Sequence, residues 1–184
     1  MRLRPLPAHE WDDAVDHALA QTLPAERRNP AGAGNALATL VRHPKLARAF
    51  LRFNGHLLYS STLPPRLREL AILRVAHRHS CAYEWSHHVE LGKRAGLTDD
   101  EVAAVQTGEA ADRGHLPLAG EFDRIVLTAV DELDEKSTVS DATWAALSRR
   151  LDERQRMDLV FTVGCYSLLA MAFNTFGVEL EHER

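Results

Sequence analysis

The sequence has only two cysteines in 184 residues, Cys81 and Cys165. That is too few for a disulfide framework, and it suits a reduced, cytoplasmic protein. It has no excess of basic charge: 22 Lys and Arg against 26 Asp and Glu give a net charge of -4. It also has no basic stripe interleaved with aromatics, so nothing in it provides a field for nucleic acid. The first residues, MRLRPLPAHEWDD, lack the apolar run of a signal peptide. There is no sustained apolar–polar alternation and no Asn-Gly or Asp-Gly hairpin signal, which argues against β-structure. Neither a CxxC pair nor an HExxH motif is present, so no metal site is expected.

Long hydrophobic runs are nearly absent too. The exception is Leu159 to Val178, which is interrupted by Thr162, Ser167, Asn174, Thr175 and two glycines. About 20 residues can span a bilayer, but no basic residues or aromatic belts flank this run. It reads as a buried core helix, with no membrane partner.

What is present is helical punctuation. Hydrophobic residues make up 45% of the chain, enough for one domain. Residues 1–34 read as an N-terminal extension and 35–184 as a helical domain. A first helix starts near His9 and stops before Pro24, and PAERRNPAGAGN reads as a loop. After His43-Pro44, the residues Leu46, Phe50, Phe53 and Leu57 fall on one stripe and are expected to face the core. Pro64 and Pro65 suit a helix start, with Leu67, Leu70, Ala71 and Val75 on its inner face. Ser80 is a plausible N-cap for the next helix, which Gly96 closes. Thr98 and Glu101 form a capping box, GHLPLAG is a connector and Ser140 is another N-cap. The last long helix runs from Glu153 to just before Gly177. The class is all-α.

The stretch HRHSCAYEWSHHVELGKRAGL, from His77 to Leu97, holds four of the ten histidines and one cysteine. Cys81, Glu84 and His88 stand at i, i+3 and i+7, on one helix face. Glu69 precedes Cys81 by twelve residues, so a chain reversal near Ser80 brings a carboxylate opposite this stripe. In the first helical turn, the free N–H groups and the macrodipole favour an anion, which is expected to lower the Cys81 thiol pKa. Each residue also has an ordinary reading. Cys81 could be a packed thiol, Glu69 a surface charge paired with Arg66 or Arg68, and His88 a structural histidine. Tyr83 and His87, at i and i+4, are candidates for binding substrate, while Trp85 suits the core. Cys165 reads as packing within its apolar segment.

The pattern Glu69-x11-Cys81-x2-Glu84-x3-His88 resembles the active-site motif of alkyl hydroperoxidase D, Glu-x11-Cys-x2-Cys-x3-His. LRELAILRVA through CAYEWSHHVELGKRAGLTDDEV is similar to the broader carboxymuconolactone decarboxylase family, most closely over residues 60–108. The resemblance implies an AhpD-like all-helical fold, with a central hairpin carrying the site, assembled as a trimer or hexamer. It implies a proton-relay role for Glu69 and catalytic roles for His88 and Cys81. Glu84 stands where the peroxidase motif has the cysteine that attacks peroxide, and it is a catalytic candidate as well, placed four residues before His88 to hydrogen-bond it from the same helix. The decarboxylase branch removes CO2 from a small organic acid or lactone by acid–base chemistry, with no metal or organic cofactor. A thiol peroxidase using Cys81, with Cys165 or an external thiol reductant as resolver, is the alternative, and a non-catalytic ligand-binding oligomer is the third reading.

Overall fold

The computed structural model of the protein describes residues 1–107 and 120–181. Among these residues there are nine α-helices and no strand. They are α1 (Asp13–Leu19), α2 (Pro30–Leu40), α3 (Pro44–Tyr59), α4 (Pro65–Arg78), α5 (Ala82–Arg94), α6 (Asp99–Thr107), α7 (Glu121–Lys136), α8 (Asp141–Ser148) and α9 (Glu153–Phe176). The chain divides into two compact units, Met1–Ser60 with the segment from Ala172 onward, and Ser61–Met171. The expected connector GHLPLAG lies almost entirely outside the described residues.

In the first unit, Leu6, Val15, Leu19, Leu23, Val41, Ala47 and Leu51 form the core. Asp12 caps α1 by accepting the Val15 N–H at 3.0 Å. The helix therefore begins later than His9, which sits in a short 3-10 turn. PAERRNPAGAGN is not all loop. Asn29 accepts the Gly32 N–H at 2.9 Å and Pro30 opens α2, a helix start suited to proline. Gly34, at φ +71°, then interrupts the helical geometry.

The stripe expected on α3 is only partly inside. Leu57 is buried, but Leu46 and Phe53 are exposed. The inner face is Ala47, Leu51, Asn54 and Leu57. The helix carries apolar residues on two faces, and the side turned to α1 is the one where small Ala47 permits close approach.

In the second unit, α4 is buried nearly all round from Glu69 to Ala76, and its expected inner stripe is inside. Its end explains how α5 is aimed. Ser80 adopts φ +51°, in the left-handed region. The Cys81 N–H then reaches Ala76 O at 2.8 Å, and the Ser80 N–H reaches His77 O at 3.0 Å. These two bonds are a Schellman closure, with Ser80 where glycine is usual. Ser80 is therefore not the N-cap of α5; Cys81 holds that position. A non-glycine residue in this conformation costs about 1 kcal/mol. Ser80→Gly is expected to raise stability by roughly that amount, read as a higher urea midpoint at unchanged slope.

The remaining expected caps form. Gly96, at φ +96°, closes α5, with the Leu97 N–H bonded to Gly92 O at 2.9 Å. The Thr98 N–H donates to Glu101 at 2.8 Å and the Glu101 N–H to Thr98 at 3.2 Å. Ser140 accepts the Thr143 N–H at 3.3 Å.

Partly buried ion pairs join α4 to its neighbours. Arg66 reaches Glu101 and Asp123, each at 2.7 Å, and Arg74 forks onto Asp131 at 2.7 and 2.9 Å. Helix α9 has two characters. Leu159, Val163, Cys165, Tyr166 and Leu169 are buried, whereas Met157, Phe161, Leu168 and Met171 are exposed. It is thus core on one face only. Among the described residues it is the one helix long and apolar enough to cross a membrane by length and composition.

Candidate active site

The turn at Ser80 folds α5 back along α4, and two features bring their side chains into contact. The first is Gly92. A Cβ there would lie 2.9 Å from Leu97 Cδ1, 3.3 Å from Leu73 Cδ1 and 3.7 Å from Glu69 Cβ. Glycine lets α5 approach α4 beside Glu69, one turn after His88. The second is the hydrogen bond itself. His88 Nδ1 lies 2.7 Å from Glu69 Oε2, with the two residues only 7% and 1% exposed. The other carboxylate oxygen accepts from Arg68 Nε at 3.1 Å. With both oxygens accepting, Nδ1 carries the proton toward Glu69, which leaves Nε2 as the free ring nitrogen. Nε2 has no hydrogen-bond partner among the described residues.

Glu69 does pair with a neighbouring arginine, but not as a surface charge. Arg68 takes that role, and Arg66 turns away to Glu101 and Asp123. No motif pointed to Tyr166, whose ring meets His88 edge-on at 4.9 Å between centroids and 88° between planes. It comes from α9, 78 residues further along the chain, and no local spacing signals such a contact.

Cys81 differs from expectation. Its thiol is buried, at 1% exposure. Burial pushes its pKa up to about 12, and the neighbouring Glu84 charge adds to this. The Glu84 and Tyr83 backbone N–H groups pull the other way, as a helix start should, but desolvation outweighs them. At neutral pH the sulfur is a thiol.

Glu84 is also buried, at 3% exposure, and burial raises its carboxyl pKa to about 8, so the neutral acid dominates at pH 7. It stands at the third position of α5, where a glutamate usually bonds the N-cap N–H. Here that N–H, from Cys81, is already taken by Ala76 O. Cys81 interacts weakly with the carboxyl, but among the described residues neither Glu84 oxygen has a partner of hydrogen-bond geometry.

Tyr83 and His87 stack on each other, with ring centroids 4.3 Å apart. Tyr83 is buried and His87 exposed. Trp85 is half-buried against the edge of His77, and His79 pairs with Asp134 at 2.8 Å. Among the described residues no group of three or more His, Cys, Asp or Glu is arranged to hold a metal ion. Cys165 is buried next to Tyr166 in sequence, and neither cysteine is in a disulfide among the described residues.

These residues sit inside a stretch with relatives. Residues 44–115 match the carboxymuconolactone decarboxylase family. Glu69, Cys81, Glu84 and His88 all lie within the matched segment. No curated protein matches the chain significantly.

Solved structures share the fold around it. The alkylhydroperoxidase AhpD core of a peroxidase-related protein from Ralstonia eutropha JMP134 is similar with a TM-score of 0.74 at 15% identity, over 98% of this chain and 94% of that one. A protein from Agrobacterium tumefaciens, linked by its name to AhpD antioxidant defence, gives 0.67 at 18% identity, over 77% and 94%. A cysteine-to-alanine variant of the debrominase Bmp8, in complex with 2,3,4-tribromopyrrole, gives 0.68 at 16% identity, over 98% and 92%. The fold is AhpD-like and all-α.

Proposed function

We propose that the chain is an enzyme of acid–base chemistry, decarboxylation or a related proton transfer, on a small organic acid or lactone. The observation that supports this most is the buried 2.7 Å bond between Glu69 and His88, which leaves one imidazole nitrogen free to exchange a proton. Glu69 fixes the ring and balances the positive charge when His88 is protonated, and Arg68 holds the far oxygen. Tyr166 packs against the ring and limits its rotation.

In a decarboxylation the C–C bond to the carboxylate breaks and its electron pair moves into the conjugated system. His88 enters this step as the imidazolium: its Nε2–H passes to the far carbon of that system as CO2 leaves, and a proton from solvent restores the imidazolium. A buried wall around the carboxylate favours this step, since the charge it carries disperses as CO2 departs. The test is turnover of a panel of unsaturated carboxylated lactones, followed as CO2 release. Loss of the activity in a His88 variant supports the proposal, and parental rates in that variant overturn it.

The peroxidase-related name of a structural relative favours a second reading, in which Cys81 attacks a hydroperoxide. That chemistry needs a thiolate, and the buried Cys81 thiol resists ionisation. Cys81 is therefore expected to react with iodoacetamide at pH 7 much more slowly than free cysteine. Cys81→Ser is expected to keep most of the lactone-directed turnover. Rapid alkylation, together with hydroperoxide consumption that Cys81→Ser abolishes, would establish the peroxidase reading instead.

A further inference from the structure

Glu84 is the least explained polar group in the second unit. Its carboxyl is 3% exposed and has no hydrogen-bond partner among the described residues. The capping bond open to a glutamate at this position is closed, because Ala76 O holds the Cys81 N–H. A buried polar group left unpaired is a net cost to folding. Glutamine or leucine would fill the same space without a carboxyl, so folding gives no reason for one here.

Its location suggests the purpose. Glu84 lies one turn before His88 on the same face of α5. It also sits in the first turn of a thirteen-residue helix, where the backbone dipole favours a negative ligand.

We propose that Glu84 is a substrate-binding residue that works as a neutral carboxylic acid, donating its O–H to the carboxylate of an anionic substrate and so selecting small unsaturated carboxylates over their uncharged analogues. This rests on the reading of His88 as the proton-transfer group and names the substrate class for it. An O–H donated to a carboxylate is a short, charge-assisted bond. The neutral form matters, because an ionised Glu84 would repel the same ligand.

The protonation state is set by burial. The titratable groups on its own helix face are Cys81 and His88, and Glu69 and Arg68 of α4 stand behind His88. Cys81 alone among them acts on its titration besides burial, and the carboxyl loses its proton only near pH 8. Above that pH, affinity for an anionic ligand should fall about tenfold per pH unit.

The experiment is calorimetric titration of the whole chain with 2-furoate, a planar unsaturated carboxylate, and with its uncharged analogue furan-2-carboxamide. For the parent chain, 2-furoate affinity is expected to fall roughly 30-fold between pH 7 and pH 9.5, with the carboxamide binding more weakly at pH 7 and nearly independently of pH. Glu84→Gln keeps a donor without a titration, so its 2-furoate affinity is expected to stay flat over that range. Glu84→Ala is expected to bind about tenfold or more weakly at pH 7.

Glu84→Gln also checks the burial directly. A carboxyl whose folded pKa is raised stabilises the fold below its unfolded pKa, near 4.5, and loses that contribution as pH rises toward 8. The glutamine variant should therefore melt progressively higher than the parent as pH rises from 4.5 to 8.

A parent chain that does not bind 2-furoate, a pH-independent parent, a parental pH profile in Glu84→Gln, or parental affinity in Glu84→Ala would each overturn the proposal. The probe undergoes no reaction, so these outcomes are separate from the turnover of His88 variants.

Discussion

His88→Ala is expected to lower kcat/KM by about 10²–10⁴-fold, the usual contribution of a positioned acid–base group. The loss should fall mainly on kcat, because the free nitrogen acts in the proton-transfer step and not in holding the ground state. Removing the ring also leaves Glu69 Oε2 without its donor in a site 1% exposed, so some loss of stability accompanies the change. His88→Asn separates the two effects. Its amide can still donate to Glu69, in place of Nδ1, but it cannot exchange a proton near neutral pH. It is expected to melt close to the parent while losing turnover as fully as the alanine variant. Steady-state rates and thermal melts on both variants check this, and an asparagine variant with parental kcat would contradict it.

The largest expected effect on stability is at Arg66. Its guanidinium lies between Glu101 and Asp123, each 2.7 Å away, and it donates to Gly96 O at 2.7 Å. Both carboxylates are buried, at 3% and 7% exposure. The two acids hold the Arg66 pKa above its ordinary value, so the cation is present at every accessible pH. With arginine absent, two buried carboxylates would lose the cation between them, and the turn between α5 and α6 would lose its anchor at Gly96.

Breaking a buried pair from one side costs about 3–5 kcal/mol, and the quarter-exposed Arg66 side chain puts this one at the lower end, about 3 kcal/mol. For a chain of this size, that lowers the melting temperature of Arg66→Ala by roughly 6–12 °C. Arg66→Lys keeps the charge but not the fork and should lie between the two. Thermal denaturation of the three chains decides the point. An alanine variant within one or two degrees of the parent would show that the pairs contribute little.

The sequence and the structure agree most where the cause is local. The capping box of Thr98 and Glu101, the Ser140 cap and the Gly96 closure depend on residues three to five apart, and all could be read from spacing. Ser80 shows where local reading stops. A serine before an apolar run looks like a cap, but here it takes the left-handed position that closes the preceding helix. That choice depends on how α5 must fold back on α4.

Helix α3 fails for a related reason. Its apolar residues cover two faces, and only the partner helix decides that Ala47 and Leu51 go inside while Leu46 stays out. The Cys81 thiol was misjudged because a helix start can be read from sequence and desolvation cannot. The facing of Glu69 and His88 came from resemblance and the chain reversal, and the approach at Gly92 gives it a physical cause. Tyr166 was out of reach because its contact joins distant parts of the chain.

The central claim is that Glu69 holds His88 in one tautomer, with the proton on Nδ1 and Nε2 free. Nitrogen-15 NMR of labelled protein near neutral pH tests it directly. The expected result is an Nδ1-protonated His88 with a strongly downfield proton resonance, an unprotonated Nε2, and loss of that resonance in Glu69→Leu. A proton found on Nε2 instead, or a His88 spectrum unchanged by Glu69→Leu, would contradict the claim.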